Sequence, residues 1–352
     1  MSKIRVLVID DAAVMRRLIA SLVNEDSDCE LAGLAANGLI ALEMLALRLP
    51  DIVTLDIEMP GLDGLATLDR IHALYPGLPV IMCSSLTQRG TRHTVEALTR
   101  GAVGYINKPS ERNHFEDSQA RLRQDLLPLL KVHGRNHRPP LPPARSAPPP
   151  EAPRVAPAAQ PCSLVAIGAS TGGPHALSQV LSALPSNFPV PVVVVQHMPA
   201  MFTALLADRL QQTGQLPVCE VAQGEPIVGS RVYLAPGGRH FELVLRGSQL
   251  QAHLHDSPPE NSCRPAVDVL FRSAGAIAGA GTLAVVLTGM GQDGLQGAAA
   301  IHRAGGTLLI QDQASSVVWG MPGAIARSGL PHTAFPLADI AAVIRDRVRR
   351  SS

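Results

Sequence analysis

The segment Ser163–Gly173 reads SLVAIGASTGG, an apolar run that ends in a serine between glycines. A short β-branched run bounded by glycines is typical of a buried strand. The next residues, Pro174–Leu184, carry leucine and valine at helical spacing, which predicts a helix. Ser170 therefore lies on a turn at the carboxyl end of a strand, where the following helix presents free N–H groups. Such a turn suits a nucleophile or a phosphate-binding loop, and the motif alone does not choose between them.

Length and composition favour two globular domains. The chain has 352 residues, of which 46% are hydrophobic and 17% are charged, and this length exceeds one ordinary core. Aromatic residues make up only 3%, so we expect cores of small aliphatic side chains, as in parallel α/β sheets. The net charge is +1. This balance, with so few aromatic rings for stacking, argues against nucleic acid as a partner.

Cysteine use and hydropathy predict a cytoplasmic protein. The five cysteines are odd in number and form no C-x-x-C pair, which fits a reducing compartment. The apolar run Val6–Ile9 is too short for the core of a signal peptide. The uncharged stretch Ser273–Gln292 has the length of a membrane span, but five glycines interrupt it. We therefore expect the end of a helix and then a strand there, with no membrane insertion.

The first part of the chain alternates apolar runs with amphipathic segments up to about residue 110. The expected strands are Ile4–Ile9, Ile52–Leu55, Val80–Cys83 and Gly104–Ile106, and the first expected helix is Ala13–Val23. Such alternation predicts a doubly wound parallel sheet with helices on both faces.

Polar side chains follow successive strands of this sheet. They are Asp10, Asp11, Asp56, Ser84 and Lys108. Open α/β sheets place their sites at the carboxyl ends of the strands. Three carboxylates gathered there would repel one another unless a cation held them, and hard oxygen ligands suit Mg²⁺. A lysine and a hydroxyl would then complement a phosphoryl group carried by one of the acids.

This pattern resembles the response-regulator receiver domain, a flavodoxin-like fold. The matching residues are Asp10, Asp11, Asp56 with Met59–Gly64 after it, Ser84, Tyr105, Lys108 and Pro109. The resemblance implies that a histidine kinase phosphorylates Asp56. It also implies an Mg²⁺ site formed by Asp10, Asp11, Asp56 and the backbone carbonyl of Glu58. Ser84 and Tyr105 would then act as a switch pair, and Lys108 would contact the phosphoryl group.

A proline-rich segment separates this domain from the rest of the chain. Ten of the 23 residues in Pro139–Pro161 are proline, which disfavours helices and sheets and predicts an extended tether. A proline-rich ligand for a partner domain is the alternative. We place the receiver domain at residues 1–125, the linker at 126–161 and a second domain at 162–352.

In the second domain a histidine follows the next strand after Ser170. The apolar run Val190–Val195 leads into Gln196–Pro199, which contains His197. Because sequential strands are often neighbours, His197 is expected beside Ser170. Farther along, Arg231–His255 alternates and turns at glycines, which predicts an antiparallel hairpin. His253 and His255 would share one face of it, a weak indication of a metal site.

A glycine-rich loop after the predicted strand Thr282–Thr288 has two interpretations. Gly289–Gly294 reads GMGQDG, and Asp312 follows 18 residues later, which is the layout of a dinucleotide-binding fingerprint. That interpretation places the Asp293 carboxylate where an anionic pyrophosphate must bind.

The second interpretation is a Ser–His–Asp relay in which Asp293 orients His197 and His197 takes the proton of Ser170. Backbone N–H groups near Ser170 and at Met290 would form an oxyanion hole. Asp268 and Asp312 remain alternatives for the third member.

The second domain resembles the catalytic domain of the chemotaxis protein-glutamate methylesterase (CheB) family, over about residues 162–348. The matching motifs are Gly168–Gly173, Gln196–Pro199, Ala235–Gly237, Arg264–Asp268, Leu287–Gly294 and Gly320–Ala324. The resemblance implies a three-layer α/β fold in which Ser170, His197 and Asp293 hydrolyse glutamate methyl esters on chemoreceptors. It also implies glutamine deamidation and no cofactor in this domain. Our hypothesis is that the resting receiver covers the mouth of the Ser170 site and that phosphorylation of Asp56 releases this block.

Overall fold

A computed structural model of the chain describes residues 3–85, 87–109, 115–135 and 160–349. The chain forms two compact units, Met1–Pro149 and Pro150–Ser352. Most of the proline-rich segment predicted as a linker lies outside the described residues, so its extended conformation stays a prediction.

The first unit is built on a five-stranded sheet in the order β2-β1-β3-β4-β5, and all its strands are parallel. The strands are β1 (Ile4–Ile9), β2 (Cys29–Ala35), β3 (Ile52–Asp56), β4 (Val80–Ser84) and β5 (Gly104–Asn107). The helices are α1 (Ala13–Glu25), α2 (Gly38–Leu47), α3 (Gly64–Leu74), α4 (Gln88–Thr99) and α5 (Phe115–Gly134).

The central strands of this sheet are buried along their whole length because helices cover both faces. Every residue of β3 and β4 is buried. Asp56 is the last residue of β3 and Ser84 the last of β4, so the sheet delivers both polar groups to its carboxyl edge. Helix α5 buries Leu126 and Leu130, and the predicted boundary at residue 125 falls inside it.

The second unit is built on a seven-stranded parallel sheet in the order β14-β13-β12-β6-β7-β9-β8. Its strands are β6 (Leu164–Ala169), β7 (Val192–Gln196), β8 (Val218–Glu220), β9 (Val232–Leu234), β12 (Thr282–Val286), β13 (Thr307–Gln311) and β14 (Thr333–Phe335). A separate antiparallel pair consists of β10 (His240–Arg246) and β11 (Gln249–His255). The helices are α6 (Gly173–Ser182), α7 (Ala200–Thr213), α8 (Val267–Ala278), α9 (Leu295–Arg303), α10 (Met321–Arg327) and α11 (Leu337–Arg349).

The three strands that precede the candidate catalytic residues are neighbours. Strand β6 lies between β12 and β7, with Gly168 opposite Val286 on one side and Ala169 opposite Gln196 on the other. The loops that follow these strands therefore leave the sheet side by side. Helices α6, α7 and α11 pack together, as do α8, α9 and α10, which agrees with the predicted three-layer α/β architecture.

The predicted hairpin over Arg231–His255 is correct only from His240 onward. Val232–Leu234 is fully buried and pairs in parallel with β7 and β8, so it belongs to the large sheet. The reason is that all three side chains of this segment are apolar or aromatic, whereas β10 and β11 leave part of their side chains exposed. The turn at Gly247, which joins β10 to β11, is where the sequence predicted it.

The uncharged stretch Ser273–Gln292 is divided as the sequence predicted. It contains the end of α8, a short 3-10 turn at Gly279–Gly281, and β12. Among the helices of the described ranges, none combines the length and the apolar composition that crossing a membrane requires.

Close contact between α8 and α9 depends on Gly297. A Cβ atom at this position would overlap the Phe271 Cβ and would lie 3.1 Å from the backbone oxygen of Asp268. Gly297→Ala should therefore destabilise the second unit by about 1–3 kcal/mol through overpacking, although alanine is the better helix former. Urea denaturation followed by the fluorescence of Trp319, the single tryptophan, measures this change. Gln296→Ala, at an exposed position of the same helix, is the control, and equal midpoints for the two variants would contradict the prediction.

Candidate active site and phosphorylation site

His197 and Asp293 form a buried pair at the carboxyl edge of the large sheet. The distance between His197 Nε2 and Asp293 Oδ2 is 2.7 Å. A carboxylate accepts hydrogen bonds, so the Nε2 atom carries the proton and donates it to Asp293. The side chain of His197 is 11% exposed and that of Asp293 is 2% exposed. This geometry leaves the Nδ1 atom of His197 as the ring nitrogen that faces the rest of the site.

The carboxylate of Asp293 is held by backbone N–H groups as well as by the histidine. Val267, Asp268 and Gly294 donate to it at 2.6, 3.0 and 2.9 Å. The first two N–H groups belong to the start of α8, where a helix N-terminus favours negative charge. Asp293 is thus fixed in position and in charge.

These contacts also count against the dinucleotide interpretation of the glycine-rich loop. At the beginning of α9, the Gly294 N–H donates to Asp293 and the Gly297 N–H donates to Asp268 Oδ1 at 2.7 Å. Carboxylates of the chain itself therefore occupy the N–H groups that a pyrophosphate would need.

The pKa values of the pair move apart. Burial by itself would lower the pKa of His197, but the hydrogen bonds to Asp293 and Cys263 outweigh it and raise the pKa to about 9. Burial would raise the pKa of Asp293, yet the adjacent His197 holds it below its usual value. Pairing with Asp293 therefore makes the His197 ring a stronger base than a free imidazole.

Ser170 is adjacent to His197 in the register of the sheet. Ala169 pairs with Gln196, and the His197 N–H donates to the Ala169 carbonyl at 3.0 Å, so the two candidate residues follow neighbouring strand ends. Within the described part of the second unit, no hydrogen bond joins the Ser170 hydroxyl to the His197 ring. The structure thus forms one of the two contacts expected for the relay, and the second needs a movement of the Ser170 side chain.

Gln196 links the two turns, and sequence reasoning did not assign it a role. Its Nε2 group donates to the carbonyl of Ser170 at 2.8 Å and to that of His197 at 3.1 Å. The side chain lies beneath the start of α6, where a Cβ at Gly173 would come within 1.9 Å of its Oε1 atom. A glutamine at the end of an otherwise apolar strand was the available signal.

The loop that contains Met290 runs beside Ser170. The Ser170 N–H donates to the Thr288 carbonyl at 3.1 Å, and a Cβ at Gly289 would lie 2.8 Å from the Ser170 Cβ. Among residues 160–349, no hydrogen-bond acceptor is found for the N–H groups of Gly172 and Met290. The oxyanion hole that the sequence analysis places near Ser170 and at Met290 stays a prediction.

The two alternative acids have other partners. Asp268 accepts from Gly297 N–H and from Asn261 Nδ2 at the start of α8, and Asp312 accepts from the Ser315 backbone and hydroxyl in a turn. Asp293 is therefore the better-placed partner for His197.

Cys263 is a second residue that sequence reasoning left without a role. Its Sγ atom lies 3.5 Å from the Nδ1 atom of His197. Backbone hydrogen bonds in both directions between Cys263 and Glu260 hold the loop, in which Asn261 and Ser262 have φ values of 50° and 63°. The signal was weak, since one cysteine beside the Arg264–Asp268 motif has many interpretations.

The hairpin histidines predicted as a weak metal candidate form a stacked pair. The rings of His253 and His255 are 5.6 Å apart, and His255 Nε2 lies 3.6 Å from a carboxylate oxygen of Glu242. The two rings are thus neighbours on one face of β11, as predicted, and His255 also contacts Glu242.

In the first unit, Lys108 bridges two buried aspartates. Its Nζ atom lies 2.7 Å from Asp56 Oδ2 and 2.9 Å from Asp10 Oδ2. Asp10, Asp11 and Asp56 each offer an oxygen within 4.8 Å of the others, and the Glu58 N–H donates to Asp56 at 3.3 Å. Three carboxylates face one ammonium group here, and this excess of hard oxygen donors fits a divalent cation.

Burial competes with charge pairing in the titration of Asp56 and Lys108. It raises the pKa of Asp56 to about 6, with help from Asp10 and against the effect of Lys108. It would lower the pKa of Lys108, but Asp56 and Asp10 together raise that pKa above its usual value.

The candidate switch hydroxyl of Ser84 is engaged with α4. It accepts a hydrogen bond from Thr94 Oγ1 at 2.8 Å and donates to the Ser85 carbonyl at 3.2 Å. Tyr105, the second candidate switch residue, is half-buried, and burial with a contribution from Asp125 raises its pKa to about 12. Thr94 is a contact that the sequence did not predict, because it depends on how α4 packs on the sheet.

The comparison with known proteins agrees with both halves of the chain. Residues 165–344 match the family model of the CheB methylesterase, and residues 6–118 match that of the response regulator receiver domain. The chain belongs to the CheB methylesterase family. A "protein-glutamate methylesterase/protein-glutamine glutaminase" of Trichodesmium erythraeum is 44% identical over 99% of this chain and 100% of its own length. One from a Nocardioides species is 45% identical over 99% of this chain and 97% of its own length.

A solved structure supports the second unit of this family member. The catalytic domain of the CheB methylesterase from Thermotoga maritima is 40% identical and has a TM-score of 0.51, covering 53% of this chain and 98% of that domain. The predicted family, the α/β fold class and the prediction of an enzyme of the methylesterase class are thereby confirmed.

The His197–Asp293 pair predicts a pH dependence of stability. The folded-state pKa of His197, about 9, lies above the ordinary value of 6.5, so protonation of the ring stabilises the fold. This contribution is complete below pH 6.5 and is lost as the pH rises through 9. Between these pH values, the free energy of unfolding of the native protein should fall more steeply than that of His197→Gln. Urea denaturation followed at Trp319 measures both, and parallel curves would contradict the assignment.

Proposed function

We propose that this chain is a protein-glutamate methylesterase that hydrolyses glutamate methyl esters on chemoreceptors by a Ser–His–Asp mechanism, and that it also deamidates receptor glutamines. The observation that carries the mechanism is the 2.7 Å bond from His197 Nε2 to a buried, backbone-held Asp293, with Ser170 on the next strand end. Relatives that match the whole chain carry the names of both activities.

The chemistry follows from the side of the ring that Asp293 leaves free. Once the Ser170 side chain turns toward His197, the Nδ1 lone pair takes the hydroxyl proton as Oγ bonds to the ester carbonyl carbon. The tetrahedral intermediate collapses when the imidazolium gives that proton to the methoxy oxygen, and methanol leaves. Asp293 stabilises the imidazolium throughout. With a glutamine substrate, ammonia would leave in place of methanol.

A water molecule completes the reaction on the same groups. Nδ1 of His197 takes a proton from the water as the water oxygen adds to the acyl carbon. His197 then gives this proton to Ser170 Oγ as the bond between Oγ and the acyl carbon breaks. In both acylation and deacylation, the carbonyl oxygen of the substrate becomes an anion in the tetrahedral intermediate. The N–H groups of Met290 and Gly172 are the donors that we assign to it, a contribution typically worth about 3 kcal/mol per donor.

The receiver unit would control this activity through Asp56. We assign Mg²⁺ to Asp10, Asp11, Asp56 and the backbone carbonyl of Glu58, where the bound ion would neutralise the acids and a transferring phosphoryl group. Lys108 already contacts Asp56 and would pair with the phosphoryl oxygens. Ser84 and Tyr105 would respond as a switch, and for Ser84 this means leaving its bond with Thr94. A histidine kinase of the chemotaxis system would be the phosphate donor, and the cytoplasm the compartment.

The first test asks whether Ser170 is the nucleophile, by a substitution that removes its hydroxyl and leaves the fold intact. Ser170→Ala removes the atom that forms the acyl bond, so methanol release from methylated receptor membranes should fall about 1000-fold or more. Ser182→Ala, in the helix that follows Ser170, is the matched control and should retain activity. Unchanged turnover in Ser170→Ala would remove the serine mechanism, and unfolding midpoints for both variants check that the fold is intact.

The second test concerns gating. A small-molecule phosphodonor with Mg²⁺ should raise methanol release by the native protein about tenfold or more, which requires about 1.4 kcal/mol of preference for the active state. Asp56→Asn keeps the shape of the side chain but cannot form the acyl phosphate, so its rate should not respond. Asp69→Asn, which alters an exposed carboxylate on α3, should respond as the native protein does. An equal response in Asp56→Asn would refute control through this residue.

A further inference from the structure

Cys263 and His197 together present two metal-binding atoms at the candidate active site. The loop between β11 and α8 brings Cys263 to the site, and its Sγ atom lies 3.5 Å from His197 Nδ1. Cys263 is a free thiol of intermediate exposure, so no disulfide partner uses it. His197, Cys263 and Asp293 offer donor atoms that all lie within 4.8 Å of one another.

The separation of the two atoms fits tetrahedral zinc. Zinc binds cysteine sulfur at about 2.3 Å and histidine nitrogen at about 2.0–2.1 Å, and a tetrahedral angle between them separates S from N by about 3.5 Å. The observed 3.5 Å between Sγ and Nδ1 equals this value. A Zn²⁺ ion could therefore be held by both atoms without a change in the backbone.

Asp293 would orient the histidine of such a site without binding the metal itself. Metal-binding histidines usually donate their second ring N–H to a carboxylate, which fixes the tautomer and directs the other lone pair at the metal. Here Nε2 donates to Asp293 Oδ2 at 2.7 Å, so the lone pair of the neutral ring lies on Nδ1, the atom that faces the thiol. The same contact that orients His197 as a base therefore also orients it as a ligand.

We propose that Cys263 Sγ and His197 Nδ1 form a binding site for Zn²⁺ and that zinc bound there inactivates the enzyme. The Nδ1 lone pair cannot accept the Ser170 proton while a metal holds it. The binding site stands on the geometry alone, whereas the inhibition rests on the proposed esterase function. Water would complete the coordination, since two protein ligands leave two positions of a tetrahedron open.

The ligand set distinguishes this site from the acidic cluster of the receiver unit. A thiolate and an imidazole suit Zn²⁺, whereas carboxylate oxygens suit Mg²⁺. Magnesium in excess should therefore occupy the Asp10–Asp56 cluster and leave the Cys263–His197 site free for zinc.

The binding test uses the full chain, excess Mg²⁺ and Co²⁺ as a spectroscopic probe for Zn²⁺. The native protein should show the near-ultraviolet band of cobalt bound to a thiolate, and added zinc should remove it. Cys263→Ser should lack the band, because serine keeps the size of the side chain but is a poor ligand. Cys219→Ser, which alters the other half-exposed thiol, should keep it. A band of equal strength in Cys263→Ser would overturn the site.

The activity test titrates methanol release with buffered Zn²⁺, each variant being compared with its own zinc-free rate. The inhibition constant of Cys263→Ser should exceed that of the native protein by about tenfold or more, since even outer-sphere changes cost 10- to 100-fold in metal affinity. Cys219→Ser and His255→Gln, which alters the hairpin histidines, should match the native protein. Equal inhibition of Cys263→Ser and the native protein would overturn the proposal. If the native protein released no methanol, the esterase assignment and with it the inhibition would fall, and the cobalt band would still decide the metal site.

Discussion

The buried hydrogen bond between His197 and Asp293 is the contact on which the catalytic half of this protein depends. A carboxylate that is 2% exposed is costly unless it is paired, and here a histidine ring and the N–H groups of two helix starts pair it. The bond determines which ring nitrogen donates to Asp293, and so which one faces Cys263. The roles of base and of metal ligand that we propose for His197 both depend on this one tautomer.

The parallel sheet makes that contact possible across 96 residues of sequence. Strands β12, β6 and β7 are neighbours, so three loops distant in the chain leave the sheet at one edge. Glycines let these loops approach closely, since a Cβ at Gly289 would press on Ser170. Gln196 then ties the carbonyls of Ser170 and His197 together. The register of strands places the residues, and short polar contacts fix their orientation.

The sequence predicted the strand-end residues of both sites because hydrophobic runs, glycine turns and polar ends follow rules that are local in the chain. It could not choose between a relay and a dinucleotide loop at Gly289–Gly294 from local pattern alone, since both need the same strand, glycines and helix. The motif resemblance and the bonds of Asp293 count against the dinucleotide loop, and the relay stays a proposal. The approach of Cys263 to His197 and of Thr94 to Ser84 was not predictable, because each depends on how a loop or helix packs on the sheet. Val232–Leu234 was misassigned to the hairpin for the same reason: alternation does not reveal which sheet a short buried strand joins.

The two sites show how one location in an α/β sheet serves opposite electrostatic needs. In the receiver unit, Lys108 cannot balance three carboxylates, and burial raises the pKa of Asp56 to about 6. That cluster is complete only with further positive charge, which a divalent cation provides. In the catalytic unit, one carboxylate meets one imidazole and several N–H groups, so its charge is already balanced and the ring becomes more basic. A hard cation has no place there, but a soft one can use the nitrogen and sulfur that remain. The Mg²⁺ site and the Zn²⁺ site that we propose thus differ in charge balance: the first has an excess of carboxylates, and the second has a carboxylate that is already paired.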